Sequence, residues 1–360
     1  MRPHTFPEHG FTLTELLLAL CLTLIVIGSG LALVISQTTV AQVAPEAVDR
    51  QQRARMAASI LTSALTGAGA GLEDGPWAGA LIRYIAPVVP RRVGLTGSDV
   101  VATARPDAIT LTTVPWDAIW ATTNTPITGG TTTVGLDARL ACAWSGPACG
   151  IVAGMTVLIF DTTGRHGLYR VTGVAGGTLT VRGLQSSGPV LGPGAAVVAA
   201  DLNTYYFDAA AHQLRVYDGY LSDVSIVDDV VDVSFEYWGD PEPPRTPRPP
   251  EGEANCLYDA DGHAVSGLGR LATNGASLAR LPLDQLRDGP WCGEGDRQFD
   301  ADLLRVRTIR LRVRAQAHDS QVRAFGPAYA LPGTNTRAAA AVPDLTLVSE
   351  VAPRNFNLGR

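Results

Sequence analysis

The stretch Gly10-Phe11-Thr12-Leu13-Thr14-Glu15-Leu16-Leu17 opens a run, Phe11 to Ser36, in which Glu15 is the one ionised side chain. At about 1.5 Å per residue a helix of roughly 26 residues spans about 39 Å, enough to cross a hydrocarbon core of about 30 Å with tilt to spare. A carboxylate within such a helix costs on the order of 3 kcal/mol at the bilayer centre, so Glu15 asks for a function. A secretory signal does not account for it, because that apolar core is only about 7–15 residues long and is followed by a small-residue cleavage site. A plain single-pass anchor, with Glu15 snorkelling toward the headgroups, stays open.

The rest of the chain reads as an exported globular part. Its 360 residues are 46% hydrophobic, ample for a core. The net charge of −6 argues against a general nucleic-acid-binding role. Every basic side chain is arginine. With 38 Gly and 24 Pro among many Thr and Val, the composition is that of a turn-rich β domain. Cys21 lies in the apolar run as a small apolar residue, which leaves Cys142, Cys149, Cys256 and Cys292. Neither the Cys142 to Cys149 spacing nor the Cys256 to Cys292 gap is that of zinc ligands, and both suit disulfides in an oxidising compartment, with sequential pairing expected.

Residues 37–70 continue the helical pattern. Ala41, Val48, Met56, Ile60, Leu61 and Leu65 are its apolar positions, and Asp49, Arg50, Arg53 and Arg55 cluster opposite. Pro45 is expected to interrupt this helix, Gly28 and Gly30 to weaken it, and Gly67-Ala-Gly69-Ala-Gly71 to end it. From residue 71 onward short strands follow, among them Ala80 to Val89, Gly167 to Val174 and Thr178 to Arg182, the last two joined at Gly176-Gly177. Val231, Val233, Phe235 and Tyr237 alternate with Asp232, Ser234 and Glu236, while Ile309, Leu311 and Val313 alternate with Arg310, Arg312 and Arg314. Paired side by side, those strands would set carboxylates against guanidiniums. Arg305 and Arg307 fall out of phase, which predicts a bulge or a late strand start.

A short leader ending in Gly10, then Phe11, then Glu15 as the fifth residue counted from Phe11, resembles the type IV pilin superfamily. The resemblance implies cleavage between Gly10 and Phe11 by prepilin peptidase, N-methylation of Phe11, and an assembly role for Glu15. There its charge meets the Phe11 ammonium of a neighbouring subunit, so neither stands alone in an apolar setting. It also implies an α+β fold: a long N-terminal helix packed on a C-terminal, mostly antiparallel β domain. The segments are then a leader (1–10), a transmembrane helix (11–36), its continuation (37–70) and a periplasmic domain (71–360) with an enlarged lobe at about 95–200. The aromatic-ended strand, the Pro-rich loop 239–253, the arginine-laced strand and the closing Pro353-Arg354-Asn355 are similar to PilW-like minor pilins and, less closely, to J-type pseudopilins of type II secretion.

The expectation is a minor pilin that helps to prime pilus assembly from the inner membrane, amino terminus cytoplasmic and globular part periplasmic. Its implied partners are prepilin peptidase, other minor and major pilins, the inner-membrane assembly platform and membrane lipid. A membrane-anchored periplasmic binding module that never polymerises is the alternative. No nucleophile elbow, complete phosphate loop or metal-ligand spacing is present, so neither an enzyme nor a cofactor is expected. Asp259-Ala-Asp261-Gly262 is a turn and not an EF-hand loop, since Arg270 stands where the twelfth-position Glu belongs. A looser calcium site drawing on Asp296, Asp300 or Asp302 stays open.

Overall fold

The apolar run and its continuation form one helix, Leu13–Gly67, of 55 residues. The computed structural model describes residues 12–72, 81, 84–115, 117–128, 133–137, 147–161, 164–184, 188–337 and 341–353. Contrary to the sequence expectation, the helix runs through Pro45 without a break. Proline removes one hydrogen bond to the carbonyl four residues back, and the bonds on either side carry the helix past it. Its later turns bury a narrow stripe: Ala54, Ala57, Leu61 and Leu65 are inaccessible to solvent, as is Ala68 just past the helix end. Val48 and Met56, read from periodicity as part of an apolar face, stand exposed. Alanines form much of the stripe, which lets the helix backbone approach its neighbours closely. The helix stops at Gly67, and Gly69 and Gly71 take left-handed φ values of 75° and 70°. A side chain at Gly71 would meet the Val114 carbonyl oxygen at 2.5 Å, so glycine is required there.

The remainder is almost wholly antiparallel β structure. Five strands pair in the order Val88–Val89, Ala108–Thr113, Asp201–Asp208, Gln213–Tyr217, Asp223–Asp228. Of the expected strand Ala80 to Val89, only its last two residues have strand geometry among those described. Between the second and third of those strands the chain builds a separate six-stranded sheet, ordered Trp120–Thr122, Ala196–Ala199, Thr156–Phe160, His166–Ala175, Thr178–Gly183, Thr133–Gly135. A bridge between Thr123 and Leu136 joins its two edges, supported by Asn124 N–H to Gly135 O (2.9 Å) and Asp137 N–H to Thr122 O (2.8 Å). The sheet thus closes on itself and leaves no long edge unpaired.

Closure explains a run that periodicity alone cannot assign. All five residues of Thr156–Phe160 are buried. Val157 and Ile159 point into the closed sheet with Val171, Val181 and Val197, whereas Leu158 and Phe160 point out into the main core with Leu168 and Val198. A strand covered on both faces is apolar throughout.

A four-stranded sheet ends the fold, ordered Ala279–Leu281, Val230–Gly239, Val306–Ala315, Leu345–Val351. Its central pair sets Asp232 opposite Arg314 and Glu236 opposite Arg310. Arg312 reaches diagonally to Asp232 at 2.7 Å, and Glu350 and Glu236, opposite Arg310 on its two neighbouring strands, both answer it (2.5 and 3.8 Å). A bulge between Val230 and Asp232 sends Val230, and not Val231, to the core. The arginine strand starts late, at Val306, so Arg305 falls in the 3-10 turn Ala301–Arg305. There it is 1% exposed and pairs with buried Asp302 at 2.7 Å. Arg305 also donates to the Gly269 carbonyl (2.9 Å).

The two kinds of ion pair differ in energetic weight. Removing one partner of a buried pair leaves an uncompensated charge, at about 3–5 kcal/mol. Exposed pairs contribute roughly 0.2–1 kcal/mol. Asp302→Ala is therefore expected to lower the denaturation midpoint of the full-length protein in detergent sharply, and Arg310→Ala to leave it nearly unchanged. Equal effects of the two substitutions would contradict this assignment.

Candidate membrane and assembly site

Thr12 precedes the first helical residue and caps it. Its backbone N–H and its hydroxyl both donate to Glu15 Oε2 (each 2.9 Å), and the Glu15 N–H donates to Thr12 Oγ1 (3.4 Å). This is a capping box, T-x-x-E, in which two otherwise unsatisfied donors at a helix start find partners. Thr12 is thus a helix-capping residue, and its T-x-x-E motif is legible in the sequence beside the more conspicuous Glu15. Glu15 Oε1 accepts no hydrogen bond among the described residues. Glu15 therefore anchors the helix start with one oxygen and presents the other outward. Gly10 and Phe11, the expected cleavage and methylation positions, lie outside the described residues.

Beyond the cap, Leu13–Ala32 is long and apolar enough to cross a membrane, with a mean hydropathy of 2.2. Eleven large apolar side chains between Leu13 and Leu31 are each more than half exposed. At about 1.5–3 kcal/mol for each such side chain left in water, the uncovered surface amounts to on the order of 20 kcal/mol. That exceeds the roughly 5–15 kcal/mol by which a domain is stable, so this segment needs a non-aqueous surrounding or a protein partner. Its few polar groups are already satisfied within the helix: the Thr23 hydroxyl donates to Ala19 O (2.7 Å) and the Ser29 hydroxyl to Val26 O (2.9 Å). Hydroxyls bonded to their own helix are compatible with a hydrocarbon setting. Free Cys21 lies on the same exposed surface.

Further along, the helix is fastened to a late segment of the chain. Val43 and Ala47 pack against a small cluster formed by Ala317, Val322 and Val342. The Glu46 carboxylate accepts from His318 N–H (2.9 Å), and Arg50 donates to the Pro343 carbonyl. Residues 317–344 carry no periodic pattern, and nothing in their sequence announced this contact.

The remaining sites foreseen from sequence fall out as follows. Cys256 and Cys292 form a disulfide with Cα atoms 5.0 Å apart. Closing a loop of about 37 residues contributes roughly 4 kcal/mol in the chain-entropy account. Cys149 is disulfide-bonded, and Cys142, its expected partner, lies outside the described residues. Asp259 forms the expected turn, accepting from the N–H groups of Asp261 (3.1 Å) and His263 (2.8 Å). Of the acidic residues considered for calcium, Asp300 and Asp302 come within metal-ligating reach of one another, and Asp296 does not join them. Asp300 and Asp302 group with Asp288, where Asp302 is engaged by Arg305, and Asp296 lies beside Arg91. No known protein family, curated protein or solved structure matches this chain.

The cap and the charge of Glu15 can be separated. Glu15→Ala is expected to raise amide exchange in the first helical turn of the full-length protein in micelles, by the equivalent of about 1 kcal/mol. Glu15→Gln keeps an acceptor for Thr12 and is expected to exchange nearly as the native chain does. Unchanged protection in Glu15→Ala would contradict the capping role.

Proposed function

We propose that this protein is a minor pilin, a subunit made in the inner membrane as a prepilin, cut between Gly10 and Phe11 and assembled through its N-terminal helix to help prime a type IV pilus. The observation that carries this reading is the uncovered apolar surface of Leu13–Ala32 with a carboxylate oxygen of Glu15 free at its start. In the membrane, lipid covers that surface. In a filament, neighbouring helices replace lipid, and the free Glu15 oxygen meets the methylated Phe11 ammonium of the next subunit and fixes axial register. The exposed Val48 and Met56 extend the apolar surface offered to neighbours. On this reading the long helix packs through its alanine-rich stripe on the β domain, and the closed sheet spanning Trp120–Ala199 is the enlarged lobe. Prepilin peptidase, other pilins and the inner-membrane assembly platform are its partners, and its globular part is periplasmic.

One observation favours the second reading, a membrane-anchored periplasmic module that does not polymerise. The capping box engages Glu15 within its own chain, with no second subunit required. Intact-mass measurement on protein purified from its native membranes separates the two. The pilin reading predicts loss of residues 1–10 and one added methyl group; retention of the leader would overturn it and support the anchor.

A further inference from the structure

Buried charge outside the helix points to a site that the filament role does not use. Arg91 follows the short strand Val88–Val89 and is 1% exposed. Its Nη2 donates to the carbonyls of Asp296 (2.9 Å) and Gln298 (2.7 Å), which fastens the 3-10 turn Gly295–Arg297 beside it. Arg91 Nε and Nη1 are buried with no hydrogen-bond partner, and so are Nε and Nη2 of Arg297 on that turn. Neither arginine has a carboxylate at salt-bridge distance among the described residues. Two carboxylates reach Arg91 through their field: Asp99, occupied by the Arg92 N–H (2.7 Å) and by Arg105 (3.7 Å), and exposed Asp296, which also acts on Arg297.

Arg91 is buried and Arg297 partly exposed, yet both line one space with buried N–H groups that have no partner, which is costly because buried charges are ordinarily paired. Burial pushes Arg91 down to about 10 and Arg297 to about 9, and the positive charge of Arg91 adds to the lowering at Arg297. His166 supplies no counter-charge. Its Nδ1 bonds the Gly164 carbonyl (3.0 Å), so that nitrogen carries the proton, and burial holds the ring neutral with its pKa lowered to about 4.

Both arginines and His166 line a pocket of about 30 Å³ walled otherwise by aliphatic side chains, two threonines and Phe299. A space of roughly 10–15 Å³ holds one water, so the pocket takes two, or one halide, or the two oxygens of a carboxylate. That volume favours a compact anion over a tetrahedral oxyanion with four oxygens. His166 and Phe299 also line a neighbouring cleft of about 1030 Å³, along with Trp291, Pro247, Pro249 and the Cys256–Cys292 disulfide. A carboxylate seated between the guanidiniums would thus have a space beside it for the body of its molecule, walled by Trp291, Phe299 and prolines but also by Arg165, Arg248, Glu253 and Glu294.

We propose that Arg91 and Arg297 form a buried binding site for a compact monovalent anion, halide-sized or a carboxylate group, at the edge of this cleft. Guanidinium N–H groups in fixed fork geometry recognise such anions strongly, and a dry setting strengthens the interaction. Bound anion would neutralise the repulsion between the two arginines and stabilise the folded state.

Thermal unfolding of the full-length protein in detergent tests this. Sodium bromide, acetate and hexanoate are each titrated at constant ionic strength, with sodium sulfate as the bulkier reference anion. The site predicts a melting temperature higher by about 5 °C at roughly a hundredfold excess over Kd. Arg297→Gln should abolish that rise and, in sulfate alone, melt above the native protein because one unpaired charge is gone. A second readout is spectroscopic: chloride NMR lines should broaden with the native protein and not with Arg297→Gln. Stronger protection by hexanoate than by acetate identifies a carboxylate ligand reaching into the cleft. Protection by bromide and acetate with hexanoate excluded identifies a free small ion, and either result upholds the site. No protection by any of the three, or equal protection in Arg297→Gln, would overturn it.

Discussion

An apolar surface that its own chain does not cover governs this protein. Between Leu13 and Leu31 the helix presents large aliphatic side chains around its whole circumference, with hydroxyls folded back onto the backbone and the one carboxylate held at the start by Thr12. A helix that is apolar all round belongs in lipid or inside an assembly. From Ala54 onward the same helix has a different chemistry: a single buried stripe, built largely of alanine, with an ion pair from Arg53 to Asp229 (3.1 Å). One continuous element thus carries two solvent preferences in sequence, which is the physical basis for reading it as both anchor and scaffold.

The β structure is held by means that do not depend on the helix start. Strands covered on both faces, such as Thr156–Phe160, tie the closed sheet to the main core without a loop or hinge. The late loops, which lack regular structure over long stretches, are instead held by the Cys256–Cys292 disulfide and by the buried Asp302–Arg305 pair. The paired guanidinium face of the last sheet is a solvated charge ladder, answered residue by residue by Asp232, Glu236 and Glu350. Arg91 and Arg297 contrast with that ladder: each keeps buried N–H groups without a hydrogen-bond partner.

Much of this was legible in the sequence. Local signals survive folding, so the glycine stop after the helix, the Gly176-Gly177 hairpin, the alternating strands and the Cys256–Cys292 bridge stand in the structure. Other features depend on distant partners that no local pattern encodes. The exposure of Val48 and Met56, the docking of residues 317–344 near Glu46 and the Thr123 to Leu136 closure are of that kind. So is the pocket between Arg91 and Arg297, whose residues lie some two hundred positions apart. The bulge at Val230 shows a third cause: one extra residue shifts the alternation by one and exchanges which valine is buried. Thr12 is the opposite case, a local motif visible in the sequence beside a more conspicuous carboxylate.

Cys21 offers the most direct test of the central claim, because it is a free thiol on the uncovered surface. In native membranes, labelling with a water-soluble maleimide should leave Cys21 unmodified until the membrane is dissolved and the protein denatured, since lipid or neighbouring helices exclude water and the reagent with it. Modification of Cys21 in intact membranes at the rate of a fully hydrated thiol would contradict the account.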